Sequence, residues 1–356
     1  MNTTRRDFLG KMTGGTLALT LAGGIENDLF PAAPTLPNKF SYKEGMSNSN
    51  VRKFVPVMLT PFTPDLKIDF DGLSKLIDFY LLSGAKGFFA NCASSEMYNL
   101  DNEERLELVR HVVKHVNGKV SVVATGSFGN TVEEQADFTK KMYDTGADAV
   151  ILITSHFAKK QAPDEILIRN LEKYFSLTGN IPLGTYECPS PYKRILTPEV
   201  FRYLISTGRV VYHKDTCLDP EQIKVKLDLA RNSALEFYDA HTPNTTLSLQ
   251  MGAKGMSCIA GNFYPEIFAW MCAHALDPGR QQEVKLLQSD LTRADSIISD
   301  GYSLSAKYFL QKRGVPIEVN SRKSKIPLTS AQKSTLDNVY EHLLRWHARL
   351  GIVAER

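Results

Sequence analysis

The run Val210-Val211-Tyr212-His213-Lys214-Asp215-Thr216 decides how this chain is read. Its apolar start, rich in β-branched and aromatic residues, is that of a strand buried inside a parallel sheet. It ends on a lysine. A lysine at the end of such a strand either pairs with a carboxylate or loses its proton. Desolvation lowers an ammonium pKa, and a neutral amine is a nucleophile toward carbonyl carbon. Working outward, the preceding strand-like run, Ile181-Pro182-Leu183-Gly184-Thr185-Tyr186, ends on a tyrosine. Lysine and tyrosine at neighbouring strand ends point to Schiff-base chemistry, with a phenol moving the protons.

Further outward the pattern repeats. Strand-like runs are predicted at Val55–Leu59, Gly87–Asn91, Val120–Ala124, Ala149–Thr154, Ile181–Tyr186, Val210–Lys214, Leu235–Asp239 and Gly255–Ala260. Amphipathic segments separate them, from Phe70–Leu82 to Tyr264–Ala275. Several open on cap residues, such as Asp101 with Glu104 and Thr131 with Glu134, and several close on glycine, as at Gly84 and Gly118. Eight strand–helix units predict an α/β fold, a (β/α)8 TIM barrel, over residues 51–279. The alternative, an open doubly wound sheet, lacks a Gly-x-Gly-x-x-Gly turn after any strand. Helical segments over Gln281–Arg313 and Ser330–Arg349 make residues 280–356 a C-terminal helical appendage.

Composition narrows the function classes. The chain has 356 residues, 43% hydrophobic and 23% charged, with a formal charge of +3. That charge is too small and too scattered for nucleic-acid binding. No long apolar run follows the N-terminus, so no membrane span is expected in the mature protein. Residues 1–50 differ from the rest. Thr4-Arg5-Arg6-Asp7-Phe8-Leu9, followed by a mildly apolar stretch from Met12 to Leu21, has the pattern of a twin-arginine signal peptide and linker. A periplasmic enzyme, exported folded, is the expectation. Cys92, Cys188, Cys217, Cys258 and Cys272 have neither disulfide-framework nor metal-clip spacing. They are read as small buried residues, with one bridge among strand-end cysteines as the alternative.

In a barrel the active site lies at the C-terminal mouth, where strand ends converge. These ends carry Ser94, Ser95 and Glu96, then His156 and Phe157, Tyr186, Lys214 and His241. Small hydroxylated residues in a turn suit a carboxylate, which complements a lysine engaging the adjacent keto group of a 2-oxo acid. His213 alternates away from Lys214 toward the helices. A metal site has no locally spaced ligand pair, so no metal and no cofactor are expected.

Five landmarks in order carry a resemblance. They are Thr60-Pro61-Phe62, Ser94-Ser95-Glu96, Tyr186-Glu187-Cys188-Pro189, His213-Lys214-Asp215 and Gly252-Ala253-Lys254-Gly255. Over roughly residues 50–350 the chain resembles the dihydrodipicolinate synthase/N-acetylneuraminate lyase family of Schiff-base aldolases. The resemblance implies that Lys214 forms an imine with a 2-oxo acid, usually pyruvate. It also implies that Tyr186 shuttles protons, that the Ser94–Ser95 turn holds the carboxylate, and that the chain forms a homo-oligomer, a dimer or tetramer.

The departures are as specific. Ala93 stands at the first hydroxyl position of the family's Gly-[Ser/Thr]-Thr-Gly-Glu motif. Phe157 stands where members contribute a relay tyrosine across a subunit interface. Pro191 stands where synthases carry the arginine that grips the aldehyde's carboxylate. The expected partner is therefore a sugar acid or its aldehyde rather than aspartate semialdehyde. Water, Ser94 or His156 replaces the missing hydroxyls, with His156, Phe157 and His241 also expected to line the substrate pocket. The alternatives are a barrel that binds a 2-oxo acid without turning it over, or a Schiff-base sugar-acid dehydratase.

Overall fold

The computed structural model describes residues 51–352; Arg5, Arg6 and the rest of the expected signal segment lie outside the described residues. Eight parallel strands alternate with eight helices. The strands are β1 (Lys53–Phe54), β2 (Gly87–Phe89), β3 (Ser121–Thr125), β4 (Ala149–Ile153), β5 (Leu183–Tyr186), β6 (Val210–Asp215), β7 (Glu236–Asp239) and β8 (Gly255–Met256). They hydrogen-bond in the order β1-β8-β7-β6-β5-β4-β3-β2. A parallel bridge from Val57 to Phe89 brings the two ends of that order together, so the sheet is a barrel. The predicted first strand began at Val55; regular pairing instead falls on Lys53 and Phe54. Pro56, two residues on, has no N–H to give the ladder.

The helices match the predicted segments closely: α1 (Phe70–Leu82), α2 (Asn102–Val116), α3 (Val132–Tyr143), α4 (Asp164–Leu177), α5 (Pro198–Ser206), α6 (Pro220–Ala230), α7 (Thr245–Met251) and α8 (Pro265–His274). Local chemistry sets their starts. Asp101 and Glu104 each accept from the other's backbone N–H, a reciprocal cap that satisfies two otherwise orphaned donors.

Aromatic rings fill the barrel axis. Tyr212 stacks on Tyr238 with ring centres 4.6 Å apart, and Phe89 meets both Tyr186 and Tyr212 edge-on. Gly184 makes room for this layer, because a Cβ there would collide with Ile151 and Tyr212. At the N-terminal end of the strands, Lys53 pairs with Glu236 at 2.8 Å. The floor is thus packed and the chemistry is left to the other end.

The C-terminal region is helical, as expected, with one difference. The run predicted as Gln281–Arg313 is two helices, α9 (Gln281–Ser299) and α10 (Leu304–Lys312), before α11 (Ser330–Leu350). The break falls at Asp300-Gly301, where Gly301 has φ +68, a conformation glycine adopts without strain. Glu266 on α8 gathers Arg313 at 2.7 Å and His347 at 2.6 Å, tying this region to the barrel's outer layer. No helix among the described residues is long and apolar enough to cross a membrane.

Candidate active site

Lys214 and Tyr186 are register partners on β6 and β5, so their side chains leave the same face of the sheet. That face is the barrel interior. The Lys214 Nζ lies 4.5 Å from the centre of the Tyr186 ring and 5.6 Å from that of Phe89. Lys214 is only 4% exposed, and among the described residues it makes no ion pair. Burial pushes its amine below the 10.5 of an exposed lysine, against a weaker upward pull from Cys92, Cys188 and Cys258. Burial raises the Tyr186 phenol well above its ordinary value, so it rests protonated.

The neighbour in sequence does not neutralise the lysine. Asp215 points out of the barrel, where its Oδ2 accepts from Lys226 Nζ of α6 at 2.6 Å. Lys226 also pairs with Glu187. His213 faces the same way, packed between Phe201 and Phe237, as strand alternation predicts. Glu187, His213 and Asp215 are close enough together for a metal, but the Lys226 ammonium bonds both carboxylates and is the cation that this cluster holds.

The turn after β2 divides its serines. Ser95 takes a different part from the carboxylate-binding one expected of its side chain. Its buried hydroxyl faces the Met58 and Ala90 carbonyls, at 2.7 Å each, and accepts from Cys92 N–H, which shapes the turn. Ser94 is buried in the same turn, and its hydroxyl is a neighbour of the Tyr302 phenol. Tyr302 comes from the break between α9 and α10, and its oxygen also accepts from Asn262 Nδ2 at 2.6 Å. Glu96 braces this arrangement. Its carboxylate accepts from the Ser303 and Ser321 hydroxyls and from the Arg322 and Lys323 N–H groups. The buried Lys307, lowered to about 8 by burial, sits 3.6 Å away.

The remaining candidates separate. Phe157 turns away from the mouth: it is 2% exposed and packs edge-on against Tyr174 of α4, ring centres 5.0 Å apart. An apolar ring finds its place in the outer layer, so the structure does not support the expected substrate contact. His156 stays beside the mouth, with Nδ1 2.6 Å from the Ser127 carbonyl and Nε2 3.1 Å from the Tyr98 hydroxyl. His241 follows β7, half-buried, and its Nδ1 has no hydrogen-bond partner among the described residues. Lys193 and Arg194, in the loop beyond Pro191, are committed elsewhere. Lys193 bonds the Thr216 carbonyl, and Arg194 bonds those of Lys159 and Ala162 together with Asp164. All five cysteines are free thiols, four of them buried, so no bridge forms.

Sequence reasoning missed Tyr98, which bonds the Ser190 carbonyl and His156 beside the mouth, and Tyr302. Cys188 is wholly buried, as its reading as a core residue expects.

A (β/α)8 barrel with a desolvated lysine and a phenol on adjacent strand ends defines a protein of the Schiff-base class I aldolase superfamily. The model of the dihydrodipicolinate synthetase family matches residues 50–343, and the chain belongs to that family. It is 28% identical over 267 residues to the 4-hydroxy-tetrahydrodipicolinate synthase of Methanococcus vannielii, covering 74% of this chain and 85% of that one. Among solved structures it is similar to YagE, a prophage protein of this family from E. coli K12 in complex with pyruvate. That likeness has a TM-score of 0.74 and 21% identity, and covers 82% of this chain and 98% of that one. A monomeric dihydrodipicolinate synthase variant matches at TM-score 0.74 and 20% identity, over 82% and 97%.

Proposed function

We propose that this protein is a Schiff-base lyase acting on a 2-oxo acid such as pyruvate, with an aldehyde or sugar-acid partner. The observation that carries the reading is the Lys214 amine, buried, free of any carboxylate among the described residues, and beside the Tyr186 phenol. The amine adds to the keto carbon, and water leaves to give an imine. The imine draws electrons from C3, so the C3–H or C3–C4 bond breaks with its pair held in the enamine. Tyr186 takes the C4 hydroxyl proton as the C3–C4 bond breaks and the aldehyde leaves, and in the condensation direction it protonates the alkoxide that forms. Ser94, with the backbone of its turn, is the group offered to the carboxylate.

The partner is a sugar acid or its aldehyde rather than a second carboxylate-bearing aldehyde. Pro191 offers no guanidinium, and the two cations nearest to it in sequence are committed to protein oxygens. Incubation with a panel of 2-keto-3-deoxy sugar acids, followed by product analysis, tests the assignment. Pyruvate plus an aldehyde supports a lyase. Loss of water with the carbon chain intact identifies a dehydratase instead. Ala93 and Phe157, two positions without a relay hydroxyl, favour a second reading in which the barrel binds a 2-oxo acid without turnover; binding with no product from any member of the panel would select it. Export by the twin-arginine route to the periplasm and assembly as a dimer or tetramer belong to the same proposal.

A further inference from the structure

We propose that Lys226, on the outer side of the barrel wall, is a positioning residue for the chemistry inside: it binds the residue after the phenol and the residue after the amine, and so sets how readily Lys214 gives up its proton. The proposal rests on the Schiff-base reading above and extends it to a group that never touches the substrate.

Two consecutive pairs build the clamp. Tyr186 and Lys214 face inward as register partners, while Glu187 and Asp215, one residue on, face α6. Lys226 Nζ donates to Asp215 Oδ2 at 2.6 Å and also to Glu187 Oε1. Other bonds close the same joint. The Glu187 N–H donates to the Lys214 carbonyl at 3.3 Å, the Thr216 N–H to Glu187 Oε2 at 3.1 Å, and the Thr216 hydroxyl to the Glu187 carbonyl at 2.6 Å. The Leu196 N–H, from the loop beyond β5, reaches Glu187 Oε1 at 2.8 Å. The ends of β5 and β6 therefore share one buried cation as well as these bonds.

That cation is 1% exposed, so water does not screen it. Burial works against its ammonium, but Glu187 and Asp215 more than offset this and hold it charged. Asp215 is held ionised in turn: burial opposes its charge, and His213 and Lys226 outweigh burial. His213 Nε2 lies 3.6 Å from Asp215 Oδ2 and 3.9 Å from Glu187 Oε1. The Cys217 N–H donates to Asp215 Oδ1 at 2.8 Å, and burial and Asp215 together push its thiol up. Asp239, register partner of Asp215 on β7, makes no ion pair among the described residues. Burial pushes its carboxyl up to about 7 against bonds from Ser248 and the His241 N–H. Inside the barrel, the Tyr186 phenol and the thiols of Cys92, Cys188 and Cys258 are the titratable groups that act on Lys214.

The sign follows from the balance. The Lys226 ammonium cancels one of two carboxylate charges that stand behind the amine. Without Lys226 both act on Lys214, and negative charge favours its protonated form. Without the charge of Asp215, Lys226 matches Glu187, and the amine loses its proton more readily.

Borohydride trapping with pyruvate across a pH series, on the alkaline side of the Asp239 value, tests this. The trapping midpoint is expected to move up in Lys226→Met and down in Asp215→Asn, each by about one pH unit. Trapping at a fixed pH below the midpoint then changes about tenfold, in opposite directions. Arg313→Met, which strips Glu266 of a partner on α8, is expected to lower stability and leave the midpoint in place. Should Lys226→Met fail to fold, Asp215→Asn decides alone. A midpoint unmoved in either folded variant, moved the same way in both, or moved as far in Arg313→Met, overturns the proposal. No imine in the wild-type protein overturns the Schiff-base reading itself, a separate outcome.

Discussion

Asp215 and Lys226 are bonded at 2.6 Å behind β6, and that bond leaves the adjacent Lys214 without a counter-ion. Strand alternation sends Asp215 outward and Lys214 inward, and Lys226 then satisfies both Asp215 and Glu187. A buried carboxylate stripped of its partner is costly. Lys226→Met is expected to lower stability by about 3–5 kcal/mol in urea denaturation. Imine trapping on Lys214 is expected to survive below the new melting temperature. A neutral substitution would mean that the cluster does not carry the charge balance described.

The Lys214 amine lies 4.5 Å from the centre of the Tyr186 ring. Removal of its hydroxyl in Tyr186→Phe leaves the ring packing with Phe89 in place and is expected to cost about 10²–10⁴-fold in turnover. Melting temperature is expected to change little. Steady-state rates on whichever sugar acid proves to be the substrate check this, and a loss below about threefold would remove Tyr186 from proton transfer.

Glu96 is the single carboxylate to which Ser303, Ser321, Arg322 and Lys323 all donate. Glu96→Gln keeps the shape but strips Lys307 of its counter-charge, and the amide cannot accept all four donors. The expected loss is about 3–5 kcal/mol, with the C-terminal region becoming the first part exposed to proteolysis. Unchanged protease resistance would show that this region is held by its apolar contacts alone.

Arg5 and Arg6 stand in a twin-arginine pattern. Changing both to lysine is expected to leave precursor in the cytoplasm of a bacterial host, whereas the native pair yields protein in the periplasmic fraction. Equal distribution of both forms would refute export by this route.

The barrel was legible because its signals are local. Cap boxes, closing glycines and apolar runs fix where each strand and helix sits, and Lys214 and Tyr186 follow from their places at strand ends. The interruption at Asp300-Gly301 was also signalled, by a turn dipeptide inside a helical run, though the apolar periodicity on either side outweighed it. Tyr302 was hidden with it. Tyr98 gave no sign, because an exposed tyrosine in a short turn has no periodic partner. Cys188 was read as core, which its burial bears out. Ser94 and Ser95 are adjacent and alike in composition; only the path of the turn decides that one hydroxyl serves the backbone and the other faces Tyr302.

The reactive Lys214 amine is tested most directly by borohydride reduction in the presence of pyruvate, followed by intact mass and peptide mapping across a pH series. A single adduct on Lys214 is predicted, absent from Lys214→Ala. Because only the neutral amine reacts and burial lowers its pKa, trapping should rise with pH through a midpoint below the 10.5 of an exposed lysine. No adduct with any 2-oxo acid, or an adduct on a different lysine, would contradict it.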